Sequence, residues 1–160
     1  AVQGNVAEEA SVRAMLDRVT GAWGRLDVLV NNAGWSTRIP HKRLDLLTDE
    51  VWDRTLNTNL RGAFYCVRQA VPLLEKNDGA SIINIASVAG LKGQGSSMVY
   101  AASKGAMITM TKSLARALAP RIRVNAVCPG FVRTHFAGWT EDAFSAAEKL
   151  GREYCLRVTG

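Results

Sequence analysis

Residues 81–104 read Ser81-Ile82-Ile83-Asn84-Ile85-Ala86-Ser87-Val88-Ala89-Gly90-Leu91-Lys92-Gly93-Gln94-Gly95-Ser96-Ser97-Met98-Val99-Tyr100-Ala101-Ala102-Ser103-Lys104. The first five are mostly apolar and rich in β-branched isoleucine, the composition of a parallel strand buried on both faces. A loop carrying Gly90, Gly93 and Gly95 follows. From Ser97 the spacing predicts the longest helix of the chain, reaching about Ala119. Met107, Met110, Leu114 and Leu118 form one stripe on it, and Pro120 stops it.

The same alternation continues in both directions. Upstream, residues 6–23 have helical spacing through Val12, Leu16, Val19 and Trp23, with Gly24 as the stop. Residues 26–30 form another short apolar run, closed by Asn31-Asn32-Ala33-Gly34. A helical stretch over about 49–75 is expected to break near Asn57 and kink at Pro72. Downstream, Ile122-Arg123-Val124-Asn125-Ala126-Val127 is a third strand ended by Pro129-Gly130, and residues 140–150 read as an amphipathic helix. Strands separated by helices of this length make β-α-β units and a parallel sheet. With no repeat or linker, residues 1–160 are expected to form one doubly wound α/β domain.

Composition removes several function classes. No apolar run approaches the ~20 residues a membrane span needs, and no signal segment opens the chain, so a cytoplasmic protein is expected. Cys66, Cys128 and Cys155 form no C-x-x-C pair, which fits reduced thiols. The net charge of +6 raises nucleic acid as a partner. Its one short cluster, Arg38, His41, Lys42 and Arg43, lacks the interleaved aromatics of a nucleic-acid groove. No nucleic-acid or membrane partner is expected.

Tyr100 and Lys104 lie four residues apart, on one helical face. An ammonium held near a phenol favours the phenolate and lowers the tyrosine from its usual ~10, making it an acid or base near neutral pH. Alone, such a pair is usually ordinary helix surface. Ser87 falls thirteen residues before Tyr100, at the carboxyl end of a strand, where ligands of parallel sheets bind. Its hydroxyl could stabilise a substrate oxygen, or it could be a common turn serine.

Together these residues resemble the short-chain dehydrogenase/reductase family. Asn31-Asn32-Ala33-Gly34 is similar to its N-N-A-G motif, and Ser87 with Tyr100 and Lys104 to its Ser and Y-x-x-x-K signature. Asn59 matches its catalytic asparagine, and Asn125 through Gly130 followed by Thr134 its N-x-x-x-P-G and downstream Thr. The resemblance implies a Rossmann-like fold and hydride transfer between NAD or NADP and a small carbonyl or alcohol substrate. It implies that Tyr100 exchanges the proton and that Lys104 holds the nicotinamide ribose and depresses Tyr100. Ser87 would orient the substrate oxygen, and Asn59 would anchor a water linking Lys104 to solvent. Asn5 and Val6 would meet the adenine, and Asn31, Ala33 and Gly34 the adenosine ribose. Pro129, Gly130, Val132 and Thr134 would bound the nicotinamide end. A homo-oligomer, tetramer or dimer, is implied through the helices at 49–75 and 97–119. No metal is expected.

The sequence departs from that pattern at its ends. The family's glycine-rich phosphate loop is absent, and the spacing of Gly90, Gly93 and Gly95 sits too far along the chain to replace it. The expectation is a sheet lacking the family's first strands and its last, truncated at both ends, with residues 135–160 in the position of a substrate-binding segment. The alternative to an enzyme is then a non-catalytic fragment or scaffold unable to hold a dinucleotide. A 3-oxoacyl-carrier reductase and a sugar or polyol dehydrogenase both remain open.

Overall fold

A computed structural model describes residues 1–132, 134, 136–138 and 140. Helix α1 (Glu9–Trp23) leads to strand β1 (Val28–Asn31), then a 3-10 turn at Leu44–Leu46. Helix α2 (Asp49–Leu56) passes through a π turn (Asn57–Arg61) directly into α3 (Gly62–Leu74). Strand β2 (Ala80–Ile85), short helix α4 (Ala89–Lys92), long helix α5 (Met98–Leu118) and strand β3 (Ile122–Val127) follow. Among the described residues the strands lie in the order β1-β2-β3, all parallel, with Val28 opposite Ser81 and Ser81 opposite Arg123. This is the Rossmann-like α/β arrangement. The expected helix at 140–150 lies outside the described residues.

Local chemistry sets the boundaries. Gly24 closes α1 in the left-handed conformation, its N–H bonded to the Thr20 carbonyl. Thr48 caps α2 by accepting from the Val51 N–H, and Ser97 caps α5 by accepting from the Tyr100 N–H. The break foreseen near Asn57 is the π turn. Pro72 lies in the last turn of α3 without ending it, because a missing donor there removes only one ladder bond.

Buried positions on α3 are Ala63, Cys66, Val67, Ala70 and Leu74, the spacing of one helical face. Cys66, Val67, Ala70 and Leu74 meet Val12 and Leu16 of α1 and Ala80, Ile82, Ile122 and Val124 of the sheet, while Ala63 packs with Ala86 and Met107. Leu114, Ala115 and Leu118 of α5 pack on the same cluster from its edge. On the predicted α5 stripe only Met107 is fully buried; Met110, Leu114 and Leu118 are half-buried. The strands also differ from the expectation of burial on both faces. Val28 and Val30 of β1 are 49% and 51% exposed, and Val127 of β3 is 48% exposed. The register puts these on the face opposite Ile82 and Val124, and β1 is the outer strand there.

Candidate functional site

Parallel strands bring their carboxyl ends to one edge of the sheet, and there the chain segments following β1, β2 and β3 meet. The Val88 N–H donates to the Pro129 carbonyl at 3.0 Å and the Ala86 N–H to the Val127 carbonyl at 2.8 Å, stitching the last two together. Helix α5 starts at this edge. Its close approach depends on Gly90: a Cβ there would fall 2.5 Å from the Gly105 nitrogen, so α4 lies directly on the α5 backbone.

The three residues expected to do chemistry come together. The Ser87 hydroxyl is hydrogen-bonded to the Tyr100 side chain and accepts the Ala89 N–H at 3.1 Å. Lys104, 4% exposed, donates from Nζ to the Ile85 carbonyl at 2.6 Å and lies 5.8 Å from the Tyr100 ring centroid. Burial pulls the Lys104 ammonium down to about 8, opposed by its charge interaction with Cys128. The direction at Tyr100 corrects the sequence expectation. Burial raises the phenol above its ordinary value, and the Ser87 hydrogen bond pulls it partly back. A partly desolvated phenol is held protonated, which suits a proton donor.

Asn59 lies close behind these residues. Its side chain is fully buried. Oδ1 accepts the Trp35 N–H at 2.7 Å, while Nδ2 donates to the Trp35 carbonyl and to Ser103 Oγ, both at 3.0 Å. Through those bonds the side chain clamps the loop after β1. Ser103, missed in the sequence although it adjoins Lys104, completes the link by donating to the Tyr100 carbonyl at 2.7 Å.

The expected cofactor contacts divide in the same way. Asn31 is buried and donates to Asn84 Oδ1 at 2.8 Å, and Asn84 in turn donates to Thr111 Oγ1 at 2.9 Å. This internal chain of side chains joins β1 and β2 to α5. Asn5 accepts the Ala7 N–H and donates to Glu8, organising the entry to α1. Val6 packs against α3, where a Cβ at Gly62 would fall 2.8 Å from its carbonyl oxygen. Ala33, Gly130, Val132 and Thr134 are exposed and Gly34 and Pro129 half-buried along the carboxyl edge. A Cβ at Gly34 would lie 3.8 Å from Lys104 Nζ, which marks how near this loop comes to the site.

Beside Tyr100 runs an open groove of about 370 Å³ between residues 34–37 and the turn Phe136–Gly138. The Phe136 ring sits 5.7 Å from that of Tyr100, tilted by 53°. On the opposite wall the Arg54 guanidinium lies 4.4 Å from the Trp35 ring centroid. Sequence spacing carried no sign of this pairing, because positions 35, 54 and 136 belong to three separate segments. Among the described residues no cluster of His, Cys, Asp and Glu could hold a metal ion, and no helix is long and apolar enough to cross a membrane.

A family model described as short chain dehydrogenase matches residues 1–143. A ketoacyl reductase of the granaticin polyketide synthase of Streptomyces violaceoruber is 41% identical over 99% of the chain and 64% of its own length. Among solved structures, a 3-ketoacyl-(acyl-carrier-protein) reductase from Brucella melitensis complexed with NADH superposes with a TM-score of 0.76 at 32% identity, over 81% of this chain and 55% of its own. ElxO with NADP bound gives a TM-score of 0.77 at 32% identity, over 96% and 58%. The chain thus spans a little over half to two thirds the length of these relatives.

Proposed function

The chain belongs to the short chain dehydrogenase family, and from that premise we propose that its parent protein is an NAD(P)-dependent oxidoreductase acting on a carbonyl or alcohol, with Tyr100 as general acid/base. The observation that carries the reading is the convergence of Ser87, Tyr100 and Lys104 at the carboxyl edge of the sheet. In reduction the Tyr100 hydroxyl donates its proton to the substrate oxygen as negative charge develops there, and Ser87 stabilises the same oxygen. Lys104 has one N–H engaged with Ile85, and an ammonium has three. Its remaining donors suit the two hydroxyls of a nicotinamide ribose.

The strip of exposed Ala33, Gly130, Val132 and Thr134 with half-buried Gly34 and Pro129 along the carboxyl edge fits the nicotinamide half of a dinucleotide, which would supply the hydride. Asn5, Val6 and Asn31 would shape the adenosine side through the backbone they fix. Asn59 would act by holding the Trp35 loop. We also propose a single domain over 1–160, a cytoplasmic location and a homo-oligomer. The last draws on Phe64 of α3 and Met98 of α5, 40% and 39% exposed, and sedimentation of the full protein checks it.

The test follows absorbance of NADPH and NADH during ketone reduction by the full-length protein. The reading requires turnover with at least one cofactor and its loss in Tyr100→Phe. No saturable binding of either cofactor and no reduction of any ketone would favour a non-catalytic scaffold unable to hold a dinucleotide.

A further inference from the structure

The groove beside Tyr100 differs from an ordinary polar substrate cleft in where its hydrogen-bonding groups point. The Trp35 N–H and carbonyl are both held by Asn59. The Ser36 hydroxyl is 2.5 Å from that of Ser96, in the loop before α5, and the Ile39 N–H donates to the Ser96 carbonyl at 2.8 Å. The wall is therefore anchored by its own polar atoms, and what it turns to the groove is largely apolar. Among the described residues the aromatic side chains of the lining are Trp35 and Phe136, with Thr37 as the remaining side-chain hydroxyl. The Arg54 guanidinium over the indole fixes the plane of Trp35.

A polyol in such a groove would find few hydrogen-bond partners on its walls and would gain little over its contacts with water. A flat apolar group loses nothing there and gains ring-to-ring contact with two aromatic walls. Resting on the hydride-transfer reading above, we infer that the groove between Trp35 and Phe136 selects ketones whose non-reacting part is a flat aryl or conjugated group, in preference to sugars and polyols. Trp35 is the specificity-determining residue, and Arg54 positions it. Phe136 joins the two functions, since it lines the groove and also touches the ring of Tyr100.

The test compares 4-phenyl-2-butanone with 4-cyclohexyl-2-butanone and a ketopentose as substrates of the full-length protein. The first two share a carbonyl of equal reactivity and differ only in the flatness of the remote ring. We expect kcat/KM for the phenyl ketone to exceed that for the cyclohexyl ketone by about tenfold, as aromatic contacts of this kind allow, and to exceed the ketopentose by more. In Trp35→Leu the phenyl-to-cyclohexyl ratio should fall toward one, and Trp35→Phe should restore part of it. A ratio near one in the native protein, a ketopentose as the best substrate, or an unchanged ratio in soluble Trp35→Leu would each overturn the inference while leaving hydride transfer intact. Failure to reduce any ketone with either cofactor would instead remove the hydride-transfer reading, and the substrate inference with it.

Discussion

The two halves of α5 are one continuous helix with one period, yet they do different work. From Ser97 to Lys104 the buried face mixes apolar Val99 and Ala101 with polar anchors: the Ser97 cap, the Ser103 bridge to Asn59, and the Lys104 bond to Ile85. From Met107 onward the inward face is mostly apolar, with Met107 fully buried beside Ala63 and Ala86 and Leu114, Ala115 and Leu118 against the main core. Its main polar contact runs from Thr111 to Asn84. The difference comes from what each half faces. The first half lies over loops at the carboxyl edge, whose backbone groups need partners. The second lies over paired strands, whose backbone groups already have them. A helix can thus be anchored by its distal half and functional in its proximal half.

If that division holds, substitutions in the two halves should separate activity from stability. The largest effect is expected at Tyr100→Phe, with turnover reduced by about 10²–10⁴-fold and the urea midpoint nearly unchanged. Turnover within a few fold of native would remove Tyr100 from the proton step. Met107→Ala should do the reverse, lowering stability by about 2–5 kcal/mol with kcat of the folded protein altered little. Denaturant titration alongside the kinetic assay measures both, and a kcat loss as deep as that of Tyr100→Phe would erase the distinction between the halves.

Lys104 allows a sharper test through pH. Its folded value near 8 lies below the ordinary 10.5, so between those values the unfolded chain binds more protons than the folded one. Stability should therefore rise with pH from about 8 to 10.5, because the penalty for burying the charge is present below pH 8 and disappears above it. The rise amounts to at most about 3 kcal/mol. Lys104→Met, measured without cofactor, should lose this rise relative to the native protein. Parallel stability curves for the two would contradict the burial of a charged Lys104.

Smaller effects are expected where the first half is held in place. Gly90→Ala sets a methyl group 2.5 Å from the Gly105 nitrogen, and α4 must move away at about 1–3 kcal/mol. Activity should fall with it, since Ser87 leads into α4; a neutral melting curve would show that the crossing tolerates a Cβ. Ser103→Ala should be smallest, about 1 kcal/mol, chiefly by leaving one Asn59 donor unpaired. Ser103→Thr should recover part of that loss, and a null effect of both would mean that Asn59 needs only Trp35.

Much of this was legible from residue order. Apolar runs, glycine stops and helical spacing located the three strands among the described residues and the long helices, because burial and backbone geometry act over a few neighbouring residues. The spacing of Ser87, Tyr100 and Lys104 reported that they could meet, since a strand end and one helical turn are fixed lengths. What the sequence could not determine depends on packing between distant segments. The state of Tyr100 follows from how deeply loops bury it, which reversed the direction expected from Lys104 alone. Asn59, Asn31 and Asn5 have the residue types of ligand-binding groups, but which intramolecular partners their side chains take, Trp35 with Ser103, Asn84, and Ala7 with Glu8, is set by packing that residue order does not show. The aromatic groove between Trp35 and Phe136 joins positions about a hundred residues apart. Only tertiary structure could assemble it, because no local periodicity relates two loops that meet solely at the end of a common sheet.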